Sequence, residues 1–220
     1  MLPAQHPKPA SKLDMASRKR DNDLHGNVPD SAKAVLLLVD VINDLDFPQN
    51  KILLNQSANL ARNIARLKAR CRKARMPCIY VNDNRDRWRS DFHHLLDKSL
   101  APRSPGRRFV EKLIPRGDDY IILKPKHSAF FATPLETVLN YMGVRQVLLA
   151  GVTTNSCILG TAMELHVRDY ELFVPQDCCF ALSEKEHLRA LKVIQSSFDA
   201  NINVSSQLEI SKGRISVRAS

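Results

Sequence analysis

Tryptophan occurs once in 220 residues and glycine seven times, and the five cysteines (Cys71, Cys78, Cys157, Cys178, Cys179) form neither a CxxC pair nor a Cys/His metal spacing. An odd, scattered set of thiols suggests neither a disulfide framework nor a zinc knuckle and fits a reducing compartment. No apolar run reaches the roughly 18 residues of a membrane span, and the amino terminus lacks the apolar core of a secretory signal. The chain is therefore expected to be soluble and cytoplasmic, with no membrane partner. No strand-like segment runs into Gly-x-Gly-x-x-Gly or Gly-x-x-x-x-Gly-Lys-Ser/Thr, so the usual dinucleotide and nucleotide cradles are missing and no cofactor is expected.

What the chain has in excess is positive charge, a formal +10 at neutral pH. Between Arg62 and Arg116 sixteen Lys/Arg stand against five Asp/Glu, an excess larger than that of the whole chain. Such a surface binds nucleic acid or acidic lipid, draws an anionic substrate towards a cleft, or is simply a solvated face. A basic binding module, built on this region and on Ser17-Arg-Lys-Arg20, is the non-enzymatic alternative; nucleic acid is the less favoured partner.

Residues 1–33 are rich in Pro, Lys, Asp and Asn without a sustained period, and read as a mobile basic tail ahead of one domain over 34–220. Ala34 to Val39 is a continuous apolar run of the kind buried on both faces of a parallel sheet, ending at Asp40. Ser57 is placed as the cap of a helix through about Arg75, in which Leu60, Ile64 and Leu67 recur at helical spacing. Pro77 to Val81 reads as strand two and Tyr120 to Lys124 as strand three, separated by a polar stretch with Trp88 and an irregular insertion, 91–116. Thr133-Pro-Leu-Glu136 opens a helix ending near Gly143. Val147 to Ala150 is strand four, followed by a turn at Gly151 and a helix with Cys157 in its first turn. Glu171 to Val174 is strand five, Ser183-Glu-Lys-Glu186 a second capping box, Ile202 to Val204 strand six, and 205–211 a last helical turn or two.

Strands alternating with helices predict an α/β, doubly wound, six-stranded parallel sheet; of the two common strand orders, 3-2-1-4-5-6 is the one taken, with its reversal between strands one and four. Ligands of such sheets bind at the carboxyl ends of the strands, where the order reverses, which here brings Asp40 and Cys157 to one crevice. Lys124 ends strand three, two strands or about 10 Å from Asp40, a gap a lysine can nearly span. A helix-start position is expected to lower the Cys157 pKa. An acid, an amine and a thiol are the parts of covalent catalysis: a base, a cation and a nucleophile.

Leu37-Leu-Val-Asp40-Val-Ile-Asn-Asp, then Leu123-Lys124-Pro-Lys-His-Ser-Ala-Phe-Phe-Ala-Thr-Pro-Leu-Glu, then Ala150-Gly-Val-Thr-Thr-Asn-Ser-Cys157, in this order, resemble the isochorismatase-like cysteine hydrolases, whose relatives include nicotinamidase and N-carbamoylsarcosine amidase. The resemblance spans roughly 34–210. It implies an Asp-Lys-Cys triad, with Cys157 as nucleophile, Asp40 as base and Lys124 as the orienting cation, Lys126 being the competitor for that last role. It also implies a cis peptide between Val152 and Thr153, with the Thr153 and Cys157 N–H groups forming an oxyanion hole. Leu45, Trp88 and Phe130 match pocket-lining positions, although lone aromatics serve equally as core. The implied reaction is cleavage of an amide-like C–N bond in a small amide, ureide or carbamoyl compound through a thioester, in a homo-oligomer. An ester or vinyl ether remains the alternative bond. Nicotinamidases of the family carry a metal-binding Asp-x-His after strand two; here Asp83-Asn-Arg-Asp86 stands there without histidine, so no metal is expected. His127 touches the pocket or caps the surface, His166 is read as structural, and Cys178 and Cys179 as packing.

Overall fold

Every residue of β1 (Ala34–Val39) is inaccessible to solvent, because an all-apolar strand at the centre of a parallel sheet is covered on both faces. The computed structural model describes residues 28–48, 50–84, 89 and 91–218. Trp88 and residues 1–27 of the expected tail lie outside these. Residues 28–33, also assigned to the tail from sequence, contact the domain: Val28 packs on its core and the Tyr120 hydroxyl donates to Asp30 (2.6 Å).

Around β1 the strands β2 (Cys78–Asp83), β3 (Tyr120–Lys124), β4 (Gln146–Val152) and β5 (Glu171–Phe173) form a parallel sheet in the order β3-β2-β1-β4-β5. The order reverses between β1 and β4, as the sequence predicts. A further strand, β6 (Cys179–Phe180), pairs with the carboxyl end of β4. The strand expected at Ile202–Val204 is reduced to one bridge, Asn201 to Phe173, outside β5. There the Asn201 side chain accepts from the Asn203 N–H (3.0 Å), a local turn that bends the chain off the sheet edge.

Alternate β1 residues feed two cores. Leu36 and Leu38 pack under α1 (Lys51–Lys73), α2 (Phe92–Leu100) and α3 (Arg107–Val110), whereas Leu37 and Val39 pack against α4 (Leu135–Met142), α5 (Leu159–His166) and α6 (Glu184–Phe198). Burying each such side chain stabilises the fold by about 1.5–3 kcal/mol. α1 begins six residues ahead of the expected Ser57 cap: Leu53 joins the buried stripe of Leu60, Ile64 and Leu67, and the Ser57 hydroxyl donates inside the helix to Leu54 O (2.6 Å). The two other predicted caps hold. Thr133 Oγ1 accepts from the Leu135 N–H (3.2 Å) and Ser183 Oγ from the Glu186 N–H (3.2 Å), while Gly143 closes α4 at φ +77°.

The carboxyl end forms a hairpin where a helical turn was expected. β7 (Leu208–Ser211) and β8 (Arg214–Val217) pair antiparallel across Lys212 and Gly213, both at positive φ, the conformation of a two-residue hairpin turn. This segment engages part of the basic excess between Arg62 and Arg116, because Arg70 donates to the carbonyls of Ser205 (2.6 Å) and Leu208. Lys68 is buried against Asp119 and the Tyr80 hydroxyl, and Arg72 pairs with Asp118 (2.7 Å). These cations hold the chain together; they are not a free face. No helix of the described residues is long and apolar enough to cross a membrane.

Candidate active site

Three neighbouring strands end in charged residues. Asp40 follows β1 at φ +55°, its amide donating to Val81 O (2.9 Å), so the carboxylate sits where the sheet splits. One of its oxygens accepts the Asp83 N–H (2.7 Å) and the other lies 2.9 Å from Lys124 Nζ. Asp83 and Lys124 are register partners at the ends of β2 and β3, and the ammonium donates to the Asp83 carboxylate. It also donates to Lys126 O (3.1 Å) and reaches Cys157 Sγ (3.5 Å). All three of its N–H bonds are thus directed within the site. Of the two competing lysines, Lys124 supplies the amine; Lys126 is exposed and supplies a carbonyl.

β4 delivers the thiol. Close backbone approach requires Gly151, which stands at φ +130° where a Cβ would lie 2.0 Å from Val39 O. The next peptide, Val152–Thr153, is cis. Residues Thr154–Ile158 then form a π-helical turn leading into α5, and Cys157 sits in that turn, 7% exposed. The turn is tied down from α6, where buried His187 Nδ1 lies 2.8 Å from Thr154 Oγ1. His127 Nδ1 lies 3.0 Å from Ser156 Oγ and 3.7 Å from Cys157 Sγ, so this histidine borders the site.

Asp40, Lys124, Cys157, Val152 and Thr153 are therefore brought together. Of the pocket candidates, Leu45 is buried with Leu53 in the core under α1, and Phe130 is buried beneath the Arg168 guanidinium (4.5 Å) in the other core, the one that also holds Cys157. Asp83 was missed. Its signal was present, an acid at a strand's carboxyl end, the same feature that marks Asp40.

The charge balance corrects one expectation. The Cys157 thiol is pushed up to about 12, first by burial and then by the Asp40 carboxylate, with Lys124 opposing. A helix-start stabilisation of the thiolate is outweighed by burial and then by the Asp40 and Asp83 carboxylates, each with an oxygen within 4.8 Å of the sulfur. Burial also raises Asp40 above the usual carboxylate range, against the pull of Lys124. Burial acts to lower Lys124, yet Asp40, Cys157 and Asp83 together raise it, so the amine stays protonated. The resting sulfur is thus a thiol beside a protonated amine. Iodoacetamide should modify Cys157 more slowly than free cysteine at pH 7, with the rate still rising above pH 9, where an ordinary thiol of pKa about 8.5 levels off. A plateau below pH 8 would contradict this balance.

The same three ligand atoms, on Asp40, Asp83 and Cys157, are spaced for a metal ion. The Lys124 ammonium contacts all three residues, so the cation this donor set holds is the amine, and a divalent ion would have to displace it.

An isochorismatase domain profile matches residues 34–206. The uncharacterized isochorismatase family protein YaaI of Bacillus subtilis is 32% identical over 177 residues, covering 80% of this chain and 97% of that protein. Enterobactin synthase component B of Escherichia coli is 28% identical over 199 residues, 88% of this chain but 64% of that longer protein. Among solved structures, an isochorismatase-like hydrolase from Alkaliphilus metalliredigens shares the fold at TM-score 0.64 and 22% identity, over 80% of this chain and 96% of that one. N-carbamoylsarcosine amidase from Thermoplasma acidophilum does so at TM-score 0.62 and 21% identity, over 80% and 99%. With the profile covering most of the domain and a relative matched along nearly its whole length, the chain belongs to the isochorismatase family, a family of hydrolases.

Proposed function

We propose that the protein is a cysteine amidohydrolase that cleaves an amide-like C–N bond of a small amide, ureide or carbamoyl compound through a thioester on Cys157. The observation that carries this reading is the Cys157 sulfur 3.5 Å from a buried ammonium that is itself 2.9 Å from the Asp40 carboxylate. A nucleophile, a base and a fixed cation within hydrogen-bonding reach are what covalent catalysis needs.

With the thiol at about 12, attack and deprotonation proceed together. Sγ attacks the carbonyl carbon as its proton passes to Asp40, and the Thr153 and Cys157 N–H groups receive the developing oxyanion. Collapse breaks the C–N bond, Asp40 returns the proton to the departing nitrogen, and the amine or ammonia leaves. Water then attacks the thioester and gives its proton to Asp40; the C–S bond breaks, and the sulfur recovers the proton. Lys124 keeps its charge throughout, offsetting whichever of carboxylate and thiolate is anionic. Because Asp40 must be ionised to begin the cycle and its pKa is raised, kcat/KM should fall on the acid side at a pH above the ordinary carboxylate value of about 3.9.

The test is incubation with a panel of small amides, ureides and carbamoyl compounds, reading ammonia release alongside an acyl adduct on Cys157 by intact mass. Ammonia with a trapped adduct is expected. Neither product across the panel would remove the reading.

A further inference from the structure

Asp83 is a site carboxylate that the cycle above does not use. Its side chain is 47% exposed, whereas those of Asp40 and Lys124 are 6% and 0% exposed. It is therefore the part of the cluster that reaches the open side of the crevice. Among the described residues Lys124 is the cation paired with it.

We infer that Asp83 selects the leaving group, accepting a hydrogen bond from the N–H of the scissile amide and discriminating against esters and N,N-disubstituted amides. The inference rests on the hydrolase reading above and adds a specificity-determining residue to it. The leaving nitrogen must lie at Asp40 to receive its proton. Asp83 stands directly beside Asp40, since its own N–H donates to the Asp40 carboxylate (2.7 Å). An oxygen of each acid lies within 4.8 Å of the attacking sulfur. With Sγ about 3–3.5 Å from the carbonyl carbon and the carbonyl oxygen in its hole, an N–H on that nitrogen pointing away from Asp40 meets the Asp83 carboxylate. An ester oxygen has no hydrogen to offer and turns lone pairs towards that charge. A site that has given a carboxylate to an N–H rejects the analogue lacking it, because the acceptor is left without its donor.

The experiment presents a set of small acyl groups to the wild-type chain and to Asp83→Asn, each as the primary amide, the N,N-dimethylamide and the methyl ester, and measures kcat and KM. Asparagine keeps an oxygen for Lys124 and removes the charge. In the variant, kcat/KM for the primary amide is expected to fall by about 10- to 100-fold while the dimethylamide and ester change by less than about threefold, so the amide preference collapses. Equal losses on all three would mean that Asp83 acts only by holding Lys124, and an unchanged amide rate would mean that it does not touch the substrate; either result overturns the assignment. Thermal midpoints of the two proteins check that the variant is folded. A wild-type enzyme that cleaves only the esters, or nothing, would instead remove the amidase reading itself, and this role with it.

Discussion

Cys157→Ala is expected to abolish turnover, by roughly 10⁴-fold or more, while the protein stays folded. The alanine leaves Asp40 and Lys124 paired but gives the carbonyl carbon no atom to bond to, so no thioester forms. Stability should change little. The thiol is a small side chain at the edge of one core, and its removal takes a poorly ionisable group away from two carboxylates. Cys157→Ser is expected to be equally inactive, because a hydroxyl holds its proton far more tightly than a thiol and Asp40 is too weak a base for it. Ammonia release and the intact-mass adduct read the activity, and circular dichroism with a thermal scan reads the fold. Turnover within tenfold of wild type in Cys157→Ala would place the nucleophile elsewhere.

Lys124→Met should inactivate the enzyme and destabilise it as well. Methionine keeps the apolar stem and deletes the ammonium with its hydrogen bonds to Asp83, Lys126 O and Cys157, leaving the buried Asp40 carboxylate without its cation and facing Asp83. Breaking a buried pair in this way costs about 3–5 kcal/mol. Against a total stability of about 5–15 kcal/mol that is a large fraction, so the variant should unfold at markedly lower denaturant at pH 7. The pH dependence has a definite sign. Asp40 is raised already in the wild type, and loss of Lys124 raises it further, above an unfolded value of about 3.9. The folded state then binds the proton more tightly than the unfolded state. Its stability is complete below the unfolded pKa and is lost as pH climbs through the folded one. The gap between variant and wild type should therefore narrow from pH 7 to pH 5. A gap that is constant with pH would mean that the cost is packing and not the unpaired carboxylate.

Much of the architecture was legible locally. Continuous apolar runs marked β1 and β4, the capping residues Thr133 and Ser183 marked two helix starts, and charges at strand ends marked Asp40 and Lys124. The failures are local too. The sequence misplaces the start of α1 because its first turn carries no acid and its N-cap residue, Asn50, makes no side-chain cap bond. β6 is two residues long, too short for any periodicity to show, and the 202–204 segment is turned aside by one side-chain bond at Asn201. The basic excess reads from sequence as a surface for a partner, a draw for an anionic substrate or a solvated face; within it Lys68, Arg70 and Arg72 are engaged by Asp119, the carbonyls of the carboxyl-terminal segment and Asp118.

The sequence by itself determined which residues stand at the carboxyl ends of the strands, because a strand's apolar run and its terminating charge are adjacent in the chain. It determined that the sheet is parallel and doubly wound, since helix-length crossovers leave few ways to connect parallel neighbours. Only the tertiary structure decided what those residues do to one another. Asp40, Asp83, Lys124 and Cys157 come from four strand ends, and ionisation depends on distances of 3–5 Å and on burial, neither of which is written in chain order. That is why the sulfur, expected to be a stabilised thiolate at a helix start, is instead a thiol held up by burial and by Asp40. It is also why Asp83 meets the Lys124 ammonium only once β2 lies beside β3.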